Sequence, residues 1–564
     1  MCYEYTVKIP EQKGKVYRRK ASNGTIYIEY EFERTYDPKK KYNTPKRTSI
    51  GKQCEDDPER MHPNSNFYKF FPEGEGAPEE KTDRSACLHV GAFAVIEKIV
   101  REYKLDRTLE DIIGKDSGLF LDLAAYSIIC EDNAAQYYPD YAFNHPLFTE
   151  GMRVYSDSKI SRFLRNISYD QGASFLNSWN KDRNKREKIY ISYDSTNKTC
   201  QAGDIELAEI GNPKDHGDKA VVNYAIAYDT NNREPLFYED YPGSVVDVAQ
   251  LECMISTAEG YGYRNVGFIL DRGYFSKKNI QLMDEKGYGF VIMVKGMKKL
   301  VSSLILEKKG TFEDKRQNAI PQYHVDGITV RHKMYGGDEK ERYFHIYYSS
   351  SAHAAEKRKL EDKLEKMKKM LKKMEGKRYR LSDTYLEYFD PIYYHEGEED
   401  EKYLCSVEKT DNIDREISLA GYFAIVTSEE MDARDALYIY KSRDASEKLF
   451  RGDKSYLGNK AERVHEDEAE EAKILIEFVA LIIRNKIYTC LQEEVGKDGS
   501  KANYMTVPAA LKELEKIEIV KRLDNRYRMP YAVTATQKAI LNAFGMTAEN
   551  VKRCAEVLDA RLRK

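Results

Sequence analysis

The period of apolar positions changes repeatedly along the chain. Residues 24–36, GTIYIEYEFERTY, alternate apolar and polar side chains at the two-residue period of a strand. The stretch DPKKKYNTPKRTSIGK (37–52) reads as a basic turn leading into another short strand. Residues 1–83 are therefore expected to form a β-rich module. From 84 to 183 the period becomes helical. VGAFAVIEKIVREYKL and SGLFLDLAAYSIIC carry apolar residues at helix spacing, and YSDSKISRFLRNIS opens with Asp and Ser of capping type. Strand patterns return in KIYISYD (188–194), KAVVNYAIAYD (219–229) and EPLFYEDYPG (234–243). NVGFILD (265–271) and YGFVIMV (288–294) follow, separated and preceded by the helical patterns SKKNIQLMDEKG and VVDVAQLECMISTAEGYG. Three successive strands, then alternating helices and strands, point to a mixed α/β sheet.

Residues 297–426 interrupt that alternation. They hold a hairpin-like pair, GITVRHKMYGGDEKERYFHIYYSS, and a charged helix whose Leu360, Leu364, Met367, Leu371 and Met374 follow a 4-3-4-3 spacing. That spacing reads as a two-heptad coiled-coil seam. Residues 356–380 carry twelve Lys/Arg against five Asp/Glu, so the helix is either a solvated arm or a DNA-contacting one. The strand GYFAIVTS (421–428) and a helix around 437–458 resume the core pattern. HEDEAEEAKILIEFVALIIRNKI (465–487) reads as a buried helix with an acidic first turn, which suits its dipole. TVPAALKELEKIEIV starts at Thr506 with an early Pro508, a helix start, and 496–564 is expected to be helical. The expected divisions are 1–83, a β-rich module, and 84–183, a helical domain, both candidates for DNA contact. Then come 184–296 and 427–495, two parts of one α/β core, with 297–426 inserted between them, and 496–564, a candidate for dimerisation.

Length and composition narrow the function classes. A chain of 564 residues is too long for one hydrophobic core. No apolar run of 18 residues occurs, so no membrane-spanning helix is expected, and the N-terminus lacks an apolar signal core. Nine scattered cysteines without a CxxC pair fit a reducing cytoplasm and speak against a disulfide framework or zinc knuckle. The net charge of −3 gives no bulk attraction to nucleic acid, so DNA affinity has to come from local patches.

The candidate chemistry lies in LYIYKSRDASEKLFRGDKSYLG (437–458). On a helix, Tyr440, Arg443, Glu447 and Lys454 point within roughly 60° of one another. Gly452 is the weak step, because a helix ending there would bring Lys454 in from a turn. Two aspartates close expected strands: Asp194 after YISY and Asp271 after VGFIL. Single residues of these kinds are more often turn formers, caps or surface ion pairs. If Asp194, Asp271 and Glu447 converge, three carboxylates share one volume and repel unless a cation sits among them. Hard oxygen ligands select Mg²⁺ or Mn²⁺, and two such ions can bridge one phosphate. Arg443 and Lys454 would then hold neighbouring phosphates, and Tyr440 would donate to a phosphate or stack on a base.

The form Tyr-x2-Arg-x3-Glu-x6-Lys resembles the Tyr-Arg-Glu-Lys signature of DDE transposases from bacterial insertion sequences. ISYDST and FILDRGYFSKKNI resemble the strands that carry that family's two aspartates, and GNPKDHGDKAVVNYAIAYD the polar loop and strand between them. The resemblance covers roughly 84–564. It implies an RNase-H-like core interrupted by 297–426 and a metal site of Asp194, Asp271 and Glu447 holding two Mg²⁺ ions, with Mn²⁺ as a substitute. It also implies phosphate contacts from Tyr440, Arg443 and Lys454. The partners it implies are double-stranded DNA, as transposon ends and target, and a second copy of the chain in a homodimeric synaptic complex. Asp215 and His216 in the inter-aspartate loop are candidate neighbours of the metal ligands or DNA contacts. Trp179, the one tryptophan, precedes the first Asp, so a base-holding aromatic in the insertion would be a Tyr or Phe. A nuclease that cuts without joining and a non-catalytic DNA-binding derivative are the competing readings. The intact acidic triad disfavours the second.

Overall fold

The computed structural model describes residues 2–22, 24–38, 41–72, 84–200, 205–210, 220–295, 297–395, 401–458, 461–462, 464, 466–498 and 503–563. Asp215 and His216 lie outside them. The chain forms two compact units, Met1–Leu164 with Lys486–Lys564, and Arg165–Asn485. The architecture is α/β: an N-terminal antiparallel sheet and a larger mixed sheet flanked by helices. Among the described residues, no helix is long and apolar enough to cross a membrane.

In the first unit, the N-terminal strands order as Val7–Lys8, Arg60–Pro63, Tyr42–Gln53, Ile26–Asp37 and Val16–Lys20, all antiparallel. Val7, Ile28, Ile50, Met61 and Phe67 form its core. Much of its basic character is internally neutralised: Arg34 and Arg47 both reach the buried Glu31, and Lys46 pairs with Glu33. The C-terminal part is not wholly helical. The helix Val507–Leu514 begins after Thr506 with Pro508 in its first turn, but Glu518–Lys521 is a strand between Tyr527–Arg528 and Cys87–His89. The β-branched pair Ile519–Val520 favours that sheet edge over a continued helix.

The second unit is built on the mixed sheet. Its main order is Glu234–Pro242, Ala220–Asp229, Ile189–Cys200, Val266–Leu270, Gly289–Met293, Tyr422–Thr427, Glu341–Tyr348, Val325–Lys333 and Ala319–Ile320. Only the three consecutive strands from Ile189–Cys200 to Gly289–Met293 are parallel to one another along this path; the others join antiparallel. The hairpin expected within the insertion therefore extends the core sheet. What stands apart from the sheet is 350–419: the helix Ser350–Lys372, the hairpin of Phe389–His395 and Glu401–Glu408, and the helix Thr410–Leu419. The expected coiled-coil seam is a correction. Leu360, Leu364, Met367 and Leu371 are buried against Leu381, Tyr388, Phe389, Tyr403 and Ile413 of the same chain. The 4-3 spacing serves any amphipathic helix, and here aromatic side chains of the hairpin cover the stripe. Trp179 has a structural role: its indole donates to the Pro235 carbonyl at 2.9 Å.

A buried histidine ties the extension to the core. Thr427 Oγ1 donates to the Glu429 carbonyl at 2.7 Å, so it accepts from His345 Nε2 at 3.0 Å. Thr329 Oγ1, 2.9 Å from Nδ1, is then the donor to the other nitrogen. Burial pushes the His345 pKa down from 6.5 to about 4, against Asp432, which raises it. The folded value lies below the unfolded one, so the unfolded chain takes the proton first as pH falls. Stability should be fully present above pH 6.5 and decline by about 3 kcal/mol toward pH 4. Chemical denaturation across this range should show a shallower acid-side loss in His345→Gln than in the wild type; identical profiles would contradict the buried neutral imidazole.

Candidate active site

Strand register brings the two aspartates together. Leu270 pairs with Tyr193 in the parallel ladder, so the next residue of each strand is an aspartate. Asp194 continues along its strand, whereas Asp271 leaves the sheet and caps the short helix Arg272–Tyr274. Each carboxylate is oriented by the backbone amide that follows it: Ser195 N–H to Asp194 Oδ1 at 2.9 Å, and Arg272 N–H to Asp271 Oδ1 at 2.8 Å. Parallel strands end in a crevice where side chains from neighbouring strands converge.

The third carboxylate arrives on a broken helix. The single helix expected over 437–458 is two, Ala433–Ser442 and Asp444–Tyr456, with Arg443 at the junction. Arg443 keeps right-handed helical angles, φ −57° and ψ −26°, but its N–H reaches back three residues to Tyr440 O at 3.3 Å. The second helix continues through Gly452, so Lys454 sits on it, half-buried, seven residues after Glu447. Glu447 lies in the first turn, where the helix dipole favours a negative charge. Beneath it Leu449 and Phe450 are buried, and Phe450 meets the Tyr224 ring edge-on. Ser446 donates to Ser192 Oγ at 2.7 Å, with both side chains fully buried. That bond joins the residue before Glu447 to the strand position two before Asp194.

The three carboxylates face one guanidinium. Arg443 Nη2 donates to Glu447 Oε1 at 2.7 Å. Its Nη1 lies 3.9 Å from Asp194 Oδ2 and 3.9 Å from Asp271 Oδ1, close enough for strong attraction but beyond hydrogen-bond length. Its Nε is buried without a hydrogen-bond partner. Burial alone would lower the Arg443 pKa; Tyr440, Asp271, Asp194 and Glu447 more than offset that and hold it above its ordinary value. Tyr440 is buried in the core between helix and sheet, with the Asp271 carboxylate in its electrostatic surroundings. Burial pushes its phenol up to about 12; Arg443 opposes this and Asp271 adds to it. Tyr440 is thus a neutral donor at physiological pH.

Exposure grades across the site. The Arg443 side chain is 14% exposed, Asp194 18%, Asp271 38% and Glu447 52%. The cluster therefore opens to solvent on the Asp271–Glu447 side. Among the described residues, no group of three or more His, Cys, Asp or Glu side chains is placed to hold a metal ion. The guanidinium stands between the carboxylates. Their oxygens nonetheless form the donor set that suits a hard divalent cation, and they already gather around a positive charge.

Sequence reasoning missed the supports. Lys198, fully buried on the Asp194 strand, pairs with buried Glu477 and lies 4.3 Å from the centre of the Tyr224 ring. The signal was a lysine two and four residues beyond Thr196 and Asp194, on the same face of a strand whose positions are mostly buried. Nothing in the spacing marked Ser192 and Ser446 as partners.

A family model described as "Transposase DDE domain" matches residues 191–483, just over half of the chain, and spans all three carboxylates. No curated protein matches. Among solved structures, a cryo-EM structure of the piggyBac transposase synaptic complex with hairpin DNA is similar at 9% identity and a TM-score of 0.34. That likeness covers 84% of this chain and 82% of that one, and it is too remote to carry an argument.

The Ser446–Ser192 bond should be energetically coupled. Ser446→Ala leaves a buried hydroxyl unsatisfied and should cost about 1–3 kcal/mol of unfolding free energy. The Ser192→Ala/Ser446→Ala double variant should cost less than the sum of the singles in urea denaturation. Strict additivity would show that the two hydroxyls do not hold the helix to the strand.

Proposed function

The chain belongs to the transposase DDE domain family, and from that membership we propose that it is a DNA transposase of the insertion-sequence type with the Tyr-Arg-Glu-Lys signature. The observation that carries the reading is the convergence of Asp194, Asp271 and Glu447 on one cation. The reading assigns the mixed sheet to an RNase-H-like core. The DNA bound is the terminal inverted repeats of the chain's own element, held in a dimeric complex, with cleavage followed by joining of 3′-ends to target DNA.

Asp194, Asp271 and Glu447 would hold Mg²⁺, with Mn²⁺ as a substitute and two ions in the site. Bound there, the metal supplies activation of a water or 3′-hydroxyl and stabilises charge at the phosphate. The chain's own residues do the rest. Backbone amides at Ser195 and Arg272 fix the direction of the two aspartates. Tyr440, its phenol raised by burial, keeps its proton beside the site. Arg443 has donor capacity left at its buried Nε, which fits a phosphate oxygen entering beside the triad. Lys454 adds a second positive charge on the same helix.

A labelled duplex carrying the element's end and flank, run on denaturing gels with Mg²⁺ or EDTA, tests this directly. Nicking at the repeat boundary should require metal and be lost in Asp271→Ala. Glu447→Gln should keep duplex affinity and lose cleavage by at least about a hundredfold, because it removes a ligand charge at nearly constant shape. Metal-independent nicking, or normal cleavage by Glu447→Gln, would remove the triad from the chemistry. Lys454→Ala should shorten the lifetime of end-cleaved complexes while leaving metal dependence unchanged; an unchanged lifetime would count against a phosphate role.

A further inference from the structure

Arg443 is poorly placed for a permanent structural ion pair. Such an arginine usually presents its fork to one carboxylate in two parallel bonds. Here one Nη bonds Glu447, the other is shared at 3.9 Å between Asp194 and Asp271, and the buried Nε bonds nothing. The one guanidinium is thus shared among three carboxylates. The residue also occupies the junction of two helices, where the backbone departs from the regular four-residue bonding. The side chain is therefore held by charge more than by fitted hydrogen bonds.

We propose that Arg443 is the exchangeable counter-ion of the triad: its guanidinium and a divalent cation compete for the same carboxylate oxygens, and a DNA phosphate that draws the guanidinium away favours metal entry. The proposal rests on reading the triad as a metal site and adds how that site is regulated. A cation coordinated by Asp194, Asp271 and Glu447 meets the Arg443 charge at close range. Metal binding without DNA is then weakened by that repulsion. When a phosphate takes the guanidinium's free donors, the repulsion is relieved and the carboxylates become available. Linkage makes the effect reciprocal, so metal must tighten DNA binding by the same factor. The arrangement keeps the carboxylates assembled and charge-compensated until substrate arrives.

The experiment uses the full-length chain and Mn²⁺ as the probe. Calorimetric titration without DNA should show Arg443→Gln binding Mn²⁺ on the order of tenfold more tightly than the wild type, with Arg443→Lys near the wild type because the charge is kept. In EDTA, Arg443→Gln should melt below the wild type, since three carboxylates lose their counter-charge, and Mn²⁺ should close that gap. Mn²⁺ should also tighten binding of a labelled duplex more for the wild type than for Arg443→Gln. If Arg443→Gln binds Mn²⁺ no more tightly than the wild type, or its melting deficit persists in Mn²⁺, Arg443 is a structural ion pair and the proposal falls. Asp194→Asn separates this from failure of the metal site itself. If Asp194→Asn abolishes Mn²⁺ binding while Arg443→Gln leaves it unchanged, the metal site stands and only the exchange is wrong. If Asp194→Asn binds Mn²⁺ like the wild type, both ideas fall.

Discussion

Three carboxylates brought within reach of one another cannot all stay ionised without a positive charge among them. The arrangement around Asp194, Asp271 and Glu447 follows from that constraint. In this chain the charge comes from Arg443, four residues before Glu447 and so one helical turn from it. The pairing is local in sequence on one side and long-range on the other, because the same guanidinium faces two strands of the sheet. A helix that brings its own cation can be seated over two aspartates; one that brought only the glutamate would be repelled.

The fold supplies the rigidity this needs. Parallel register sets Asp271 beside Asp194, and an antiparallel strand on one flank and a parallel one on the other bury those strands. The helix with Glu447 is fastened at one end by Ser446 on Ser192, and farther along by Phe450 on Tyr224. Tyr224 is in turn covered by Lys198, whose partner Glu477 comes from the long helix Asp467–Asp498. A buried ion pair adds little net stability, but losing either partner is costly, so it fixes which surfaces meet. The support for the site is therefore mostly polar and buried, whereas the site itself grades from buried Tyr440 to half-exposed Glu447.

Much of this was legible in the sequence. The alternating periods marked the strands on which the two aspartates lie, and the spacing Tyr440, Arg443, Glu447, Lys454 marked the helix. Strand ends were read short: the Asp194 strand runs on to Cys200, because Ser, Thr and Asn at 195–197 look like a turn while fitting a buried ladder. The hairpin at 325–348 was placed in the insertion, whereas it extends the core sheet. The 4-3 seam at 360–371 was read as a coiled coil, whereas its own chain covers it. Periodicity says that a face is covered but not by what, and the covers come from strands or aromatics distant in sequence. The break at Arg443 left no trace in the spacing, since three- and four-residue backbone bonds permit nearly the same side-chain stripe. The role of Arg443 was likewise hidden: a phosphate clamp and a carboxylate counter-ion require the same residue at the same place.

The most direct measurement is anomalous diffraction at the manganese edge from crystals of the chain bound to duplex DNA and Mn²⁺. The expected result is a manganese peak bonded by Asp194, Asp271 and Glu447, with the Arg443 guanidinium moved onto a DNA phosphate. Manganese bound elsewhere, or a guanidinium still seated among the three carboxylates while DNA and metal are present, would contradict the account.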